Sequence, residues 1–162
     1  MYLITGANGF IGSSILSELH SMGYQNLFAA TRKEMPALPK GIINLIYDLT
    51  KSDDLFLNNK FDCVIHCAAR VHKMKEKPHE GLEKYRNINV DGTLALARNA
   101  AKNGVKKFIY LSSIKVNGDN STTPFDESRE PNPLDSYSIS KLESERKLLE
   151  IGQSEKMSII II

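Results

Sequence analysis

The sequence predicts a doubly wound α/β fold, in which helices cover both faces of one parallel sheet. Six short strand-like apolar runs alternate with helix-forming stretches along the chain, and this alternation is typical of parallel sheets buried on both faces. The first apolar run passes into a helix through a turn that contains three glycines. Such a turn after the first strand, together with right-handed crossovers, predicts the strand order 3-2-1-4-5-6.

The boundaries of strands and helices follow from hydrophobic periodicity and from the placement of glycines and prolines. We predict strands at residues 2–4, 27–31, 42–47, 62–67, 107–111 and 158–162. We predict helices at residues 10–22, 51–57, 80–103 and 135–151. The stretches between them, several of which contain prolines, are predicted to be loops.

The length of the chain and the way it stops bear on its domain organisation. Its 162 residues suit one domain with a real core, and we assign residues 1–162 to one domain. The chain stops inside a strand of consecutive isoleucines, without a turn or a polar tail. We therefore expect a fragment of a longer polypeptide, truncated before a C-terminal substrate domain that contributes to the substrate pocket.

Composition and charge indicate an ordinary globular protein. Hydrophobic residues make up 41% of the chain, charged residues 25%, and the net charge is +2, so we expect no nucleic-acid surface and no anionic-membrane surface. A loose basic cluster from Arg70 to Lys77 is interpreted as a solvated loop. The longest apolar run, Ile159 to Ile162, is far too short to span a bilayer.

The cysteines and histidines predict neither a disulfide nor a metal site. Cys63 and Cys67 would share one face of a strand, too far apart to bridge, so we expect buried free thiols in a reducing cytoplasm. His66 lies on the same predicted strand, and a packed core histidine is favoured over a ligand. The remaining histidines do not cluster with the cysteines at metal-ligand spacing; they are His20, His72 and His79.

The glycine turn predicts a nucleotide site. Gly6 allows a sharp turn out of the strand, Gly9 allows bare backbone to approach a pyrophosphate, and Gly12 allows the helix to pack closely on the sheet. The N-terminus of the helix then offers free N–H groups and a positive dipole end to phosphates. The alternative is a tight strand-to-helix turn that binds no ligand.

Residues after the second and third strands bear on the choice of dinucleotide. NAD sites of this type usually hold an acid against the ribose 2′-hydroxyl, but this chain has Arg32 and Lys33 after the second strand. Two cations there suit a 2′-phosphate and indicate NADP, unless they are ordinary loop charges. Asp48, after the third strand, is placed either to accept a hydrogen bond from adenine or to cap the following helix.

A tyrosine and a lysine near the start of the last predicted helix form a second candidate site. Tyr137 and Lys141 are four residues apart, which brings them to one helix face. A tyrosine with a pKa near 10 is a poor base, and a neighbouring ammonium favours its phenolate. A hydroxyl from Ser112 or Ser113, at the end of the fifth strand, would orient a substrate oxygen. The alternative is a surface pair without chemistry.

Four stretches resemble the motifs of extended short-chain dehydrogenases/reductases, which have a Rossmann-type fold. They carry the glycine signature, a long-helix motif, the Ser-Ser strand end, and the loop with the catalytic helix. They are Thr5-Gly-Ala-Asn-Gly-Phe-Ile-Gly12, Asn87-Ile-Asn-Val-Asp-Gly-Thr93, Phe108-Ile-Tyr-Leu-Ser-Ser-Ile-Lys-Val-Asn-Gly118 and Pro124-Phe-Asp-Glu-Ser-Arg-Glu-Pro-Asn-Pro-Leu-Asp-Ser-Tyr-Ser-Ile-Ser-Lys141. Within that family the chain is most similar to nucleotide-sugar epimerases, dehydratases and 4-ketoreductases of the UDP-glucose 4-epimerase type.

The resemblance implies a role for each matching residue. Tyr137 would be the acid/base, Lys141 would bind the nicotinamide ribose and modulate the pKa of Tyr137, and Ser113 aligns with the catalytic hydroxyl better than Ser112 does. The implied pyrophosphate cradle consists of Gly6, Gly9, Phe10, Ile11 and Gly12. Asp48 and Leu49 would border the adenine, Ala68 and Ala69 the nicotinamide ribose, and Asn89 would brace the ends of the fourth and fifth strands. Arg32 departs from the family's acid.

The function implied is a nucleotide-sugar epimerase that interconverts C4 epimers of a UDP-hexose through a nicotinamide-dependent 4-keto intermediate. An NADP-dependent reductase of 4-keto sugars is one alternative, and a non-catalytic dinucleotide-binding regulator is another. The implied cofactor is NAD or NADP. In this family the long helix and the Tyr-Lys helix commonly pair between subunits, so the resemblance also implies a homodimer.

Overall fold

The computed structural model describes residues 1–51, 55–56, 59–71 and 81–162. Its strands are β1 (Tyr2–Thr5), β2 (Leu27–Thr31), β3 (Ile42–Ile46), β4 (Cys63–His66), β5 (Lys107–Tyr110) and β6 (Ser158–Ile161). They form one sheet in the order β3-β2-β1-β4-β5-β6, and all five pairings are parallel. The predicted fold class and strand order are therefore confirmed, and each strand lies within one residue of its predicted bounds.

The helical segments lie mostly where they were predicted. They are α1 (Phe10–Ser21), α2 (Leu82–Tyr85), a π-helical segment (Arg86–Gly92), α3 (Thr93–Lys102), a 3₁₀ turn (Ile114–Val116) and α4 (Ser136–Glu155). The predicted helix at 51–57 falls partly outside the described residues. None of the helices in the described part of the chain is long and apolar enough to cross a membrane.

Two helical segments differ from the prediction for physical reasons. The predicted helix at 80–103 is interrupted by the π-helical segment, because hydrophobic periodicity does not separate a π-helical turn from an α-helical one. Helix α4 continues to Glu155 and ends where Lys156 adopts a left-handed conformation, with φ 54°. Gly152 lies inside the helix, at a position where a Cβ would lie 2.5 Å from the Ile159 side chain. Gly152 therefore provides close packing against β6.

The hydrophobic core has two layers, one on each face of the sheet. Consecutive strand residues point to opposite faces, so Leu3 packs with the buried side chains of α3 and α4, whereas Ile4 packs with Leu16 of α1. Burial on both sides explains why β2 is buried throughout and is a continuous apolar run. Cys63 is buried and Cys67 is half-buried, and both are free thiols.

His66 is a packed core residue at the carboxyl end of β4. It is 1% exposed, and its Nδ1 and Nε2 atoms are hydrogen-bonded to the hydroxyls of Thr5, at 2.6 Å, and Thr93, at 2.9 Å. Burial, together with the charge of Lys141, lowers the pKa of His66 from 6.5 to about 3. The imidazole is therefore neutral in the folded protein at all but strongly acidic pH.

We expect this histidine to make the fold sensitive to mild acid. Below pH 6.5 the unfolded chain protonates at His66 while the folded chain does not, so stability is lost as pH falls from about 6.5 to about 3. At pH 5 the loss is about 2 kcal/mol. Urea unfolding at pH 7 and pH 5 should show it, and His66→Gln should remove this part of the difference while His20→Gln keeps it. A His66→Gln protein with the full difference would contradict the assignment.

Candidate functional site

The candidate site lies at the carboxyl edge of the sheet, where β1, β4 and β5 end side by side. Thr5 at the end of β1 is in register with His66 at the end of β4, and His66 is in register with Tyr110 at the end of β5. Ligands of doubly wound sheets bind at this edge, next to the point where the strand order reverses. The structure brings the glycine turn, the segment after β4 and the Ser-Ser segment after β5 to this edge.

The glycine turn has little room for side chains. Gly6 has φ +65°, and a Cβ on it would lie 2.7 Å from the backbone nitrogen of Ala68. A Cβ on Gly12 would lie 2.3 Å from the carbonyl oxygen of Gly6. Gly9 has an ordinary extended backbone, φ −80° and ψ 168°, and a Cβ there would lie 3.2 Å from the same oxygen. Gly6 and Gly12 are thus required by the protein's own packing.

The N-terminus of α1 is suited to an anion. The first N–H groups of a helix have no partner within the helix, and among the described residues no side chain caps this end. No acidic residue occurs in the first turn. Phe10 is 91% and Ile11 46% exposed, so this end of the helix is open. The uncapped donors, the helix dipole and the close-packed glycines together fit the pyrophosphate of a dinucleotide.

We expect Gly12→Ala to impair both folding and cofactor binding. The added methyl group would overlap the Gly6 carbonyl and push α1 away from the turn, which costs about 1–3 kcal/mol for overpacking. Thermal unfolding and calorimetric titration with NAD and NADP measure the two effects. Gly104→Ala is the control for binding, because φ +80° strains any side chain there but a Cβ meets nothing within 4 Å, so this variant loses stability without a change at the dinucleotide site. Equal dinucleotide affinity in both variants would contradict this role for Gly12.

The residues after β2 and β3 occupy the far side of the same edge. Arg32 and Lys33 are exposed, whereas Leu49 is half-buried, and a Cβ on Gly92 of the π-helical segment would lie 2.7 Å from the Leu49 carbonyl oxygen. The Asp48 carboxylate accepts hydrogen bonds from Thr50, at 2.9 Å from the backbone nitrogen and 2.8 Å from the hydroxyl. These bonds hold the pKa of Asp48 below its usual value. Asp48 thus stabilises its own turn.

Lys141 is buried beneath the Ser-Ser segment. It is 2% exposed, its Nζ donates to the carbonyl of Leu111 at 2.6 Å, and the same atom lies 3.9 Å from the centre of the Tyr110 ring. Burial lowers the pKa of Lys141 from 10.5 to about 7, although the nearby Glu145 and Cys67 act in the opposite direction. The ammonium is therefore fixed in position and gives up its proton near neutral pH.

Tyr137 and Ser113 are brought together at the same edge. Burial raises the pKa of Tyr137, and a hydrogen bond with the Ser113 side chain partly offsets this effect. The hydroxyl of Ser112 instead donates to the carboxylate of Glu145. The structure therefore separates the two serines that the sequence left as alternatives. The cation whose charge lowers the pKa of Tyr137 is Lys115, whereas the sequence pattern pointed to Lys141.

Asn89, in the π-helical segment, links the segment after β4 to helix α4. Its Oδ1 accepts from the backbone nitrogen of Arg70 at 2.7 Å, and its Nδ2 donates to the Arg70 carbonyl at 3.1 Å and to Ser140 at 2.9 Å. Both amide hydrogens of Asn89 are thus used. The expected bracing reaches from the end of β4 to α4, rather than from β4 to β5.

The remaining predicted cofactor-binding residues, Ala68 and Ala69, lie where the segment after β4 meets the glycine turn. Ala68 and Ala69 are half-buried, and the Ala68 nitrogen donates to the Thr5 hydroxyl at 3.4 Å. Within the described residues, no group of three or more His, Cys, Asp or Glu side chains is placed to hold a metal ion. Two histidines of the sequence analysis, His72 and His79, lie outside the described residues.

Sequence reasoning did not single out three charged residues that contact this site. Lys115 forms an ion pair with Asp135, and Glu145 accepts from Ser112. Asp135 was predicted only as the start of the last helix. The spacing of Glu145, four residues after Lys141, was a signal that could have been used. The contact between Lys115 and Asp135 joins residues 20 positions apart, and the contact between Ser112 and Glu145 joins residues 33 positions apart. Local sequence patterns do not indicate contacts over such separations.

The comparison with known families decides the assignment. A family model described as the NAD dependent epimerase/dehydratase family matches residues 2–162. The chain belongs to this family. The resemblance drawn from the sequence motifs is thereby confirmed, and the Rossmann-type arrangement of this epimerase/dehydratase chain is the one that the motifs implied.

Several curated proteins are similar to this epimerase/dehydratase chain. UDP-glucose 4-epimerase of Vibrio cholerae is 36% identical over 163 residues, which cover 99% of this chain and 49% of that protein. UDP-glucose 4-epimerase of Neisseria meningitidis serogroup C is 33% identical, with 99% and 51% covered. UDP-arabinose 4-epimerase 1 of Arabidopsis thaliana is 30% identical, with 99% and 41% covered. The chain spans about half the length of the curated relatives it matches.

Solved structures share the fold. The UDP-glucose 4-epimerase of Thermus thermophilus, in complex with NAD, superimposes with a TM-score of 0.84 at 24% identity, covering 99% of this chain and 53% of that one. MoeE5 in complex with UDP-glucuronic acid and NAD gives a TM-score of 0.84 at 26% identity, with 99% and 52% covered. Both agree with the observed sheet and its order of strands.

Proposed function

We propose that this chain is the dinucleotide-binding domain of a nucleotide-sugar epimerase, which interconverts C4 epimers of a UDP-hexose through a 4-keto intermediate. The observation that carries the proposal is the arrangement at one sheet edge, where the Ser113 side chain lies close enough to Tyr137 to lower its pKa and the N-terminus of α1 is uncapped. The curated relatives named as UDP-sugar 4-epimerases support it. The complete protein includes a substrate domain in this proposal, and it works as a homodimer in the cytoplasm.

The chain's own residues divide the chemistry among them. NAD, when bound, supplies a hydride acceptor that can return the hydride to carbon 4 of the sugar. Tyr137 takes the proton from the C4 hydroxyl and later returns it, and the Ser113 side chain and the charge of Lys115 are the neighbours that lower its pKa. Ser113 orients the sugar oxygen. Lys141 binds the nicotinamide ribose, and its pKa of about 7 leaves it partly protonated near neutral pH. Gly6, Gly9, Phe10, Ile11 and Gly12 cradle the pyrophosphate.

The segment after β2 favours an NADP-dependent enzyme as the alternative to the epimerase. The exposed Arg32 and Lys33 lie where a 2′-phosphate would be bound, so an NADP-dependent reductase of a UDP-4-keto sugar is the second candidate. An epimerase keeps one dinucleotide through both half-reactions, whereas a reductase exchanges it after each turnover. The solved relatives in complex with NAD favour the first candidate.

The nucleotide held by the complete protein separates these functions. The protein is purified without added cofactor and denatured, and the released nucleotide is identified by mass spectrometry. Stoichiometric NAD(H) supports the epimerase, and conversion between UDP-glucose and UDP-galactose is then followed by NMR. An empty site that takes up NADPH in preference to NADH supports the reductase. Failure to bind either dinucleotide refutes both and supports a non-catalytic protein.

A further inference from the structure

The segment that carries Ser113 is held against helix α4 at two points, one on each side of that serine. On one side the Lys115 ammonium donates to Oδ2 of Asp135 at 2.9 Å. On the other side Ser112 donates to the Glu145 carboxylate. We propose that Lys115, Asp135 and Glu145 are positioning residues that hold Ser113 against Tyr137. This inference rests on the function proposed above for Ser113 and Tyr137.

We call these two contacts ties. The first tie, between Lys115 and Asp135, joins the 3₁₀ turn to the start of the helix that bears Tyr137. Asp135 is the N-cap of α4, and its Oδ1 accepts from the Ser138 backbone nitrogen at 2.7 Å. Its second oxygen, Oδ2, accepts from Lys115. One carboxylate therefore fixes the helix terminus and the turn together. Lys115 is also 3.6 Å from Asp119, so the ammonium lies between two carboxylates and is held in one place.

The second tie lies nearly three turns further along α4. Glu145 follows Lys141 by one helical turn, so its carboxylate and the buried ammonium are neighbours on α4. The Ser112 backbone nitrogen donates to the Ile162 carbonyl at 2.6 Å, and its side chain donates to Glu145. Ser112 is thus fixed both to the sheet edge after β6 and to the helix.

Ser113 depends on these ties because the short turn that follows it does not hold its side chain. The 3₁₀ segment has three residues, and its own backbone hydrogen bonds, from Val116 to Ser113 and from Asn117 to Ile114 at 3.0 Å, fix the backbone of the turn but not the Ser113 hydroxyl. Within the segment, the Ser113 hydroxyl accepts only a long bond of 3.3 Å from the Lys115 nitrogen, and Ile114 is 62% exposed. The ties to Asp135 and Glu145 therefore decide where the Ser113 hydroxyl lies relative to Tyr137.

The Lys115–Asp135 tie is tested in the complete protein with two variants that remove the ion pair and leave the helix cap. Asp135→Asn keeps an N-cap residue but loses the charge, and Lys115→Met keeps the length of the side chain. Each should lower kcat by about tenfold to a hundredfold, as misplacement of a reacting group does, without changing the dissociation constant for NAD. The double variant should be no worse than either single one, and Lys115→Arg should restore most of the rate.

The same variants in a Ser113→Ala background separate positioning from a general structural role. If the ties act through Ser113, Lys115→Met, Asp135→Asn and Glu145→Gln cost no further activity once the hydroxyl is gone. Additional losses of the same size in that background would overturn the inference. Melting temperatures are recorded for every variant, so that a fall in kcat at an unchanged melting temperature excludes damage to the fold. Lys106→Met and Glu150→Gln, both exposed, are the matched controls.

The outcome for Tyr137→Phe distinguishes failure of this inference from failure of the proposed function. If Tyr137→Phe abolishes turnover but the Lys115, Asp135 and Glu145 variants keep the wild-type kcat, the epimerase assignment stands and the positioning role is wrong. If Tyr137→Phe keeps full turnover, the proposed function itself is wrong, and positioning of Ser113 has no catalytic meaning.

Discussion

Tyr137→Phe is expected to lower kcat of the complete protein by about 10²- to 10⁴-fold, the usual contribution of a positioned acid or base. The substitution removes one oxygen atom and leaves the ring and its edge contact with Tyr85 in place. The loss should appear in kcat and leave the amount of bound dinucleotide unchanged. Steady-state kinetics with a UDP-hexose, and mass spectrometry of the released nucleotide, measure the two quantities on the same preparation.

Tyr24→Phe is the matched control for this experiment. Tyr24 is 42% exposed and packs edge-on against Tyr2, on the surface beyond the end of α1. Loss of its hydroxyl should leave kcat, nucleotide content and melting temperature unchanged. If Tyr137→Phe behaves like Tyr24→Phe, Tyr137 is not the acid/base. If both variants lose bound dinucleotide, the assay reports damage to the fold, which the melting temperatures will reveal.

The sheet could be predicted from the sequence because strands that are buried on both faces consist of apolar residues, and such runs are visible in the sequence. β2 is buried on both faces and is apolar throughout, and the glycine turn after β1 marks the strand next to the switch in strand order. The need for Gly6 and Gly12 was also visible, since the turn and the start of α1 lie within a few residues. These features depend on local sequence, which is where periodicity and glycine placement carry information.

The site was less predictable because its contacts join distant parts of the chain. The residue pattern left two neighbouring serines as alternatives and only the family resemblance favoured Ser113, whereas the bond from Ser112 to Glu145, 33 residues away, gives the two serines different partners. The π-helical segment sets the position of Asn89, yet its residues have the same hydrophobic pattern as an α-helix. The low pKa of Lys141 arises from burial beneath the Ser-Ser segment, which only tertiary packing produces.

Lys141→Met is expected to abolish turnover and, near neutral pH, to stabilise the protein. Burial lowers the pKa of Lys141 to about 7, so below pH 7 the folded state carries the full cost of a buried ammonium, about 5 kcal/mol. Methionine removes this cost but leaves the Leu111 carbonyl without its donor, which costs about 1–3 kcal/mol. At pH 6.5 the variant should therefore be the more stable protein by about 2–4 kcal/mol.

The sign of this difference should reverse in alkali. Between about pH 7 and 10.5 the unfolded chain keeps the Lys141 proton while the folded chain has lost it, so the wild type gains stability as pH rises. Near pH 10 little of the burial cost remains, and the variant keeps only the cost of its unpaired carbonyl. Urea unfolding of both proteins at pH 6.5 and pH 10 measures the crossover, since groups common to both cancel in the difference. A difference of the same sign and size at both pH values would show that Lys141 does not titrate in this range, and a lysine that stays charged would then hold the nicotinamide ribose throughout the neutral range.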